Sequence, residues 1–176
     1  LQIWQERRKH PMFRINDYVV YNSTGVCQIT DIINDKDASG NLVEYYILQP
    51  VSNKKMIIKS PVNNPKVSIR KVMSKEDAIA LISIMPELET VWINDHRLRN
   101  QSFKAALKTG ECEELAKLIK TLYLKREEVS VLGKKLTKAD EDILKAAEEH
   151  LYEEFAIALN IPQDEVVSYI QEHVSE

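Results

Sequence analysis

Several residue types that enzyme sites and membrane spans need are scarce in this sequence. It has only four glycines, and no phosphate-binding loop, dinucleotide-binding fingerprint or nucleophile elbow is built from them. The two cysteines, Cys27 and Cys112, belong to no cluster with metal-ligand spacing, so we expect both to be reduced packing residues. No apolar run approaches the roughly 20 residues that a membrane-spanning helix needs. The sequence therefore predicts a cytoplasmic protein with no catalytic residues, no cofactor and no metal site.

Histidines and paired carboxylates give no sign of a catalytic centre. The four histidines are scattered along the chain, at His10, His96, His150 and His173. We expect His150 to be a surface residue, because it stands next to two glutamates in a helical stretch. The pair Glu153 and Glu154 is likewise explained as surface charge on that helix. An enzyme is therefore disfavoured.

Charge is unevenly distributed along the chain. The net charge is −3 overall, but residues 12–73 carry +3, residues 92–138 carry +5 and residues 139–176 carry −10. A basic middle segment is suited to a phosphate backbone, with the acidic end kept away from it. An ordinary solvated surface explains the same distribution, and charge alone favours that second explanation.

Short apolar runs with turn residues between them dominate the first half of the chain. We interpret residues 1–11 as a leader outside the fold and residues 12–73 as one β domain. The candidate strands span residues 17–22, 26–33, 42–48, 55–59 and, at an edge, 67–72. Sequential short strands of this kind predict a small, strongly bent antiparallel sheet or barrel.

Apolar residues recur at helical spacing from Ser74 onward, so residues 74–176 predict an all-α domain. Ser74 is a candidate N-cap for the first helix, which Pro86 closes, and residues 87–91 form a linker. Gly110 separates the next two helices, and Thr137 opens a long helix with Leu144, Ala147, Leu151, Phe155 and Ala158 on one face. A last helix begins around Pro162. The fold class is therefore α+β, with a β domain followed by a bundle of about four helices.

The segment from residue 92 to residue 104 is the most informative for function. It sets Trp92 beside His96, Arg97, Arg99 and Lys104 near a helix start. These residue types suit contacts with phosphates and the minor groove. The same pattern is explained by a core tryptophan that packs the linker on the bundle, with solvated arginines.

The first strand region carries a family resemblance. Residues 13–26 resemble the opening of the CarD/CdnL family of bacterial transcription regulators, with Asn16 and Asn22 where relatives have Gly and Pro. Transcription-repair coupling factors share this opening, but no helicase sequence accompanies it here. Later segments also have counterparts in the family, at residues 44–46, 55–61, 103–123 and 136–140. The resemblance covers residues 12 to about 159.

The resemblance implies a Tudor-like β domain that docks on the RNA polymerase β subunit, partly through a sheet edge. Carried over residue by residue, the polymerase-facing strand falls on Met56, Ile57, Ile58 and Lys59. Lys59 stands where relatives have Arg. Another Arg of the family aligns near Asp35, so this chain has the opposite charge at that point.

The resemblance further implies that the helical domain contacts the upstream edge of the melted promoter, where relatives wedge a Trp into the minor groove. Trp92 is the candidate, although an alignment anchored on Gly110 puts the family Trp at His96. The DNA-binding set is therefore Trp92, His96, Arg97, Arg99, Lys104, Lys134, Lys135 and Lys138.

Two functions remain open at this point. The first is a regulator that modulates open-complex stability, with RNA polymerase and promoter DNA as partners and weak sequence specificity. The second is an adaptor that binds polymerase through the β domain and another protein through the helices, with no DNA contact; the acidic end of the chain motivates it. We expect a monomer that associates with the nucleoid through polymerase and with no membrane.

Overall fold

The structure, a computed structural model, describes residues 13–174 of the chain. It shows a five-stranded antiparallel sheet followed by five α-helices, which confirms the α+β prediction. The expected leader, residues 1–11, lies outside the described residues. No helix among residues 13–174 is long and apolar enough to cross a membrane.

The strands follow the order β4-β3-β2-β1-β5 across the sheet, so β4 and β5 form its two edges. Their bounds are β1 Tyr18–Tyr21, β2 Gly25–Lys36, β3 Leu42–Pro50, β4 Ile58–Pro61 and β5 Ile69–Lys71. The predicted fourth strand is wrong at its start, because β4 begins three residues later than Lys55. A register shift between Ile29 and Asp31 bends the long β2–β3 pair.

One small apolar core lies against the sheet. Phe13, Val19, Ile29, Tyr46 and Leu48 are almost fully buried there, and the Phe13 N–H donates to the Tyr46 hydroxyl at 3.1 Å. This anchors the start of the described chain to the third strand.

Two asparagines in the sheet region have positive φ angles, at positions that the family motif gives to other residues. Asn16 has φ 75° and Asn22 has φ 46°. Asparagine is among the few residues with a side chain that adopt this left-handed conformation readily. Replacement of the family Gly by Asn16 therefore keeps the local turn.

The helical part consists of α1 Lys75–Ile84, α2 His96–Thr109, α3 Cys112–Val131, α4 Lys138–Leu159 and α5 Val166–Val174. Ser74 and Thr137 cap α1 and α4 as predicted, since their hydroxyls accept from the N–H groups of Asp77 and Asp140. Gly110 ends α2 with φ 67°. A second and larger apolar core joins all five helices, with Leu115, Leu122 and Phe155 at its centre.

Candidate functional site

The residues predicted to face polymerase lie at an open edge of the sheet. Met56 and Ile57 precede β4 and are 46% and 70% exposed, whereas Ile58 and Lys59 belong to the strand. β4 pairs only with β3 among the described strands, so its other side offers backbone donors and acceptors. We call Met56, Ile57, Ile58 and Lys59 the edge segment.

Lys59 is held in place by two neighbours on the sheet surface. Its ammonium donates a hydrogen bond to the Asp35 carboxylate and lies 4.4 Å from the centre of the Tyr45 ring. The bond to Lys59 keeps the pKa of Asp35 below its ordinary value. Asp35 is therefore paired with the cation of the edge segment.

Most of the residues predicted to face DNA converge on one end of the helical bundle. This bundle end comprises the start of α2, the end of α3 and the start of α4. Arg99 connects α2 to α4, because its guanidinium donates to both carboxylate oxygens of Asp140, at 3.1 and 3.0 Å. Lys125 connects α3 to Trp92, which follows the linker, because its ammonium lies 5.0 Å from the centre of the Trp92 ring.

Trp92 is half-buried in this bundle end. Its ring meets the ring of Phe103 nearly edge-on at 6.2 Å, and the Arg99 guanidinium lies 4.2 Å from its ring centre. These contacts fit the explanation in which the tryptophan packs the linker onto the bundle.

The structure changes the interpretation of Arg99. Its side chain is 6% exposed and is committed to Asp140 and to the backbone carbonyl of Ile93, at 2.8 Å. Arg99 is thus neither a solvated residue nor a free phosphate ligand. Its buried side chain connects α2 to α4, and we omit Arg99 from the DNA-facing set.

The remaining residues predicted to bind DNA are exposed. His96 and Arg97 occupy the first turn of α2, and Lys104 lies about two turns further along. Lys134 and Lys135 lie in the α3–α4 loop, and Lys138 begins α4, where it pairs with Asp142 at 2.6 Å. That pairing raises the pKa of Lys138. The exposed cations of the bundle end are therefore available to phosphates, with Lys138 partly neutralised.

Glu153 and Glu154 are not the surface residues that the sequence suggested, because they are only 6% and 2% exposed. Glu154 receives two hydrogen bonds from Arg70 of β5, at 2.7 and 2.9 Å, and one from the Met73 N–H at 2.9 Å. Arg70 also donates to the Gly110 carbonyl at 2.6 Å. This cluster, which we call the junction, ties the sheet to α4 and to the α2–α3 turn.

Glu153 forms the other half of the junction. Its carboxylate accepts from the Val26 N–H at 3.0 Å, and burial raises its pKa despite that bond. Gly25 has φ +98°, and a Cβ there would stand 2.7 Å from the Glu153 carboxylate. The close approach of α4 to β2 therefore requires glycine at this position.

Both cysteines are buried and free, as predicted. Burial is the main cause that raises the pKa of Cys27 to about 12, and it also raises the pKa of Cys112. The Cys112 thiol lies 3.0 Å from Glu154 in the junction. Neither thiol is activated as a nucleophile. Residues 13–174 contain no cluster of three or more side chains able to hold a metal ion.

A separate apolar groove of about 500 Å³ runs along α3, α4 and α5. Its walls include Tyr123, Leu124, Tyr152, Val167 and Val174. The helical stripe named from the sequence, on one face of α4, contains none of these wall residues, so no pattern in the sequence predicted this surface.

Three features of the structure were not predicted from the sequence: the junction, the Arg99–Asp140 pair and the groove. A signal for the first two exists in the sequence. Asp140 and Glu154 fall on the same helical stripe as Leu144, Ala147 and Leu151, so their position predicts burial even though their charge does not.

Two family models match the chain. The model described as CarD-like/TRCF RID domain matches residues 13–73, which hold the whole sheet. The model described as CarD, C-terminal domain matches residues 81–171, which hold most of the helical part. No curated protein matches the chain.

Proposed function

Because the chain belongs to the CarD family of non-catalytic, RNA polymerase-binding transcription regulators, we propose that it bridges polymerase and promoter DNA. The sheet docks on the polymerase β subunit through the edge segment. The bundle end reaches the upstream edge of the melted promoter and slows collapse of the open complex.

Polymerase docking is supported by the exposed edge of the sheet. Met56 and Ile57 supply apolar surface, and β4 supplies unpaired backbone groups for strand addition. Lys59 adds an ammonium group at the same edge, where Asp35 partly neutralises it. A polymerase strand with an acidic side chain beside it would complement these features of the edge segment.

DNA contact is supported by the bundle end, and this is the observation that carries the proposal. The start of α2 carries the exposed residues His96 and Arg97, with Lys104 about two turns along the helix, and the α3–α4 loop and the start of α4 carry the exposed lysines Lys134, Lys135 and Lys138. Ion pairs account for part of the negative charge after residue 139, because Asp140 and Glu154 are paired inside the molecule with Arg99 and Arg70. Contacts to phosphates predict weak sequence specificity.

The test is a footprint of holoenzyme on promoter DNA, with and without the protein, over a range of salt concentrations. We expect polymerase-dependent protection at the upstream edge of the bubble. The triple variant Arg97→Gln, Lys134→Gln, Lys135→Gln should lose this upstream protection. For that variant, the slope of log DNA affinity against log salt concentration should be smaller in magnitude by about 2 to 3. The matched control removes three exposed lysines elsewhere, with Lys66→Gln, Lys75→Gln and Lys145→Gln.

The apolar groove favours a second candidate, the adaptor without DNA contact. An amphipathic helix of another protein would fit between α3 and α5 beside Tyr123 and Val167. In that case the protein binds polymerase, produces no upstream footprint, and the triple variant behaves like its control.

A further inference from the structure

The packing of Trp92 leaves open which side chain inserts at the edge of the bubble. The indole is engaged by Phe103, Arg99 and Lys125, and leaving the bundle would break all three contacts. Insertion between bases requires an apolar group that is exposed before binding and is carried close to phosphate-binding cations.

Such a group lies where α3 ends. Val131 is 87% exposed and Leu132 is 66% exposed, so two adjacent apolar side chains face solvent at this point. Gly133 then turns the chain with φ 68° into Lys134 and Lys135. We call residues 131–135 the α3–α4 tip.

Backbone hydrogen bonds fix the shape of the tip. The N–H groups of Leu132 and Lys134 both donate to the Val129 carbonyl, at 3.1 and 2.9 Å, and that of Gly133 donates to the Ser130 carbonyl at 2.9 Å. The tip therefore presents its apolar pair in one conformation, so little conformational entropy is lost on binding.

The tip lies at the bundle end, because it connects the end of α3 to the start of α4. Val131 lies six residues beyond Lys125, which corresponds to about 9 Å along a helix. Lys125 contacts Trp92, and Arg99 holds the start of α2 to the start of α4. The apolar pair thus extends past Trp92 on the same end of the molecule as His96 and Arg97.

Charge at the tip favours nucleic acid as its partner. Within residues 13–174, neither Lys134 nor Lys135 forms an ion pair with a described residue. Of the two acids in the preceding turn, Glu128 pairs with Lys125, and Glu127 lines the groove. Two lysines beside an exposed apolar pair suit phosphates that flank a widened minor groove.

We propose that the α3–α4 tip is the wedge of this protein: Val131 and Leu132 insert at the upstream edge of the melted DNA while Lys134 and Lys135 bind the adjacent phosphates. Trp92 is then a positioning residue that holds the linker and α3 beneath the tip. This inference rests on the proposed function and assigns its inserting group.

The test uses the full chain with holoenzyme on a promoter that carries 2-aminopurine at the upstream edge of the bubble. In the double variant Val131→Ser, Leu132→Ser we expect the gain in open-complex lifetime to fall at least threefold and the change in 2-aminopurine fluorescence to disappear. Polymerase affinity and thermal stability should remain at the wild-type level, because both side chains are exposed. Leu42→Ser is the matched control, because Leu42 is 73% exposed in the sheet.

Each other outcome overturns a specific statement. If the wild type lengthens the lifetime and the double variant does so equally, the tip is not the wedge although the proposed function stands. If the double variant loses polymerase affinity in the absence of DNA, the tip contacts protein instead. If the wild type itself leaves the lifetime unchanged while bound to polymerase, the proposed function fails and the wedge assignment with it.

Discussion

Buried ionised side chains connect the parts of this molecule at two places. Arg99 and Asp140 are both nearly inaccessible, and their bidentate pairing satisfies groups that would otherwise be costly to bury. Arg70 and Glu154 do the same at the junction, where Glu154 receives a third hydrogen bond from the Met73 backbone. Loss of one member of such a pair leaves the other uncompensated, so these residues are sensitive to substitution.

Substitution of Trp92 separates packing from direct DNA contact. We expect Trp92→Ala to cost about 2 kcal/mol of stability, because the indole is half-buried against Phe103, and to shorten the open-complex lifetime through the loosened bundle end. Trp92→Phe should retain most of both properties. Thermal unfolding and lifetime are measured on the same samples. A shorter lifetime with an unchanged unfolding temperature would show instead that the indole itself touches DNA.

His150 gives stability a dependence on pH. It is half-buried rather than on the surface as expected, and desolvation lowers its pKa below the ordinary value of 6.5, although Glu149 acts in the opposite direction. The unfolded chain therefore binds this proton more readily than the folded chain. Stability from His150 is complete above pH 6.5 and is lost as pH falls through the lowered pKa.

The His150→Gln variant is expected to lose this part of the pH dependence. Denaturant midpoints of both proteins are compared between pH 7 and pH 5. Because Glu148 and Glu153 titrate with raised pKa values in both proteins, only the difference between the two curves reports on His150. Parallel curves would contradict the assignment.

At the scale of elements, local sequence predicted most of the fold. Helix ends depend on hydrogen bonds within a few residues, so they can be predicted from the local sequence. The N-caps at Ser74 and Thr137 and the helix end at Gly110 are examples. The start of β4 was misplaced because Lys55, Met56 and Ile57 have strand-like composition, yet only pairing with β3 defines the strand. The junction was missed for the same reason, since its partners lie about 80 residues apart.

The edge strand β4 carries a prediction of its own. Lys59→Glu replaces the ion pair with Asp35 by two adjacent carboxylates, which repel each other. We expect polymerase affinity to fall at least tenfold while the helical part remains folded. Lys66→Glu is the control, because it changes net charge equally and precedes the opposite edge strand, β5. Affinity is measured by titration of labelled polymerase, and helicity by circular dichroism. Retained affinity in Lys59→Glu would refute the edge segment as the docking surface.

At the scale of the whole molecule, the junction fixes the orientation of the sheet, with its edge segment, relative to the bundle end. It joins β2, β5, α4 and the α2–α3 turn through hydrogen bonds from Val26, Arg70 and Met73. A bridge between polymerase and DNA needs such a fixed geometry, because a flexible connection would place the tip near the bubble only part of the time.

Glu154→Gln tests this coupling. Glu154 is buried but Arg70 is 30% exposed, so this replacement is expected to cost about 1.5 to 3 kcal/mol of stability, whereas Glu149→Gln, on the exposed side of α4, should change stability by less than about 0.5 kcal/mol. At a temperature where the variant is still folded, polymerase affinity should persist while the gain in open-complex lifetime is reduced. Equal lifetimes for both variants would show that the junction is structural only.

The lifetime of the open complex tests the central claim most directly. Holoenzyme is assembled on a promoter with and without the protein, challenged with competitor, and followed as the complex decays. The bridge that we propose predicts a longer lifetime with the wild-type protein and a loss of that gain in the variant Arg97→Gln, Lys134→Gln, Lys135→Gln. An unchanged lifetime, with polymerase binding verified in the same samples, would contradict it.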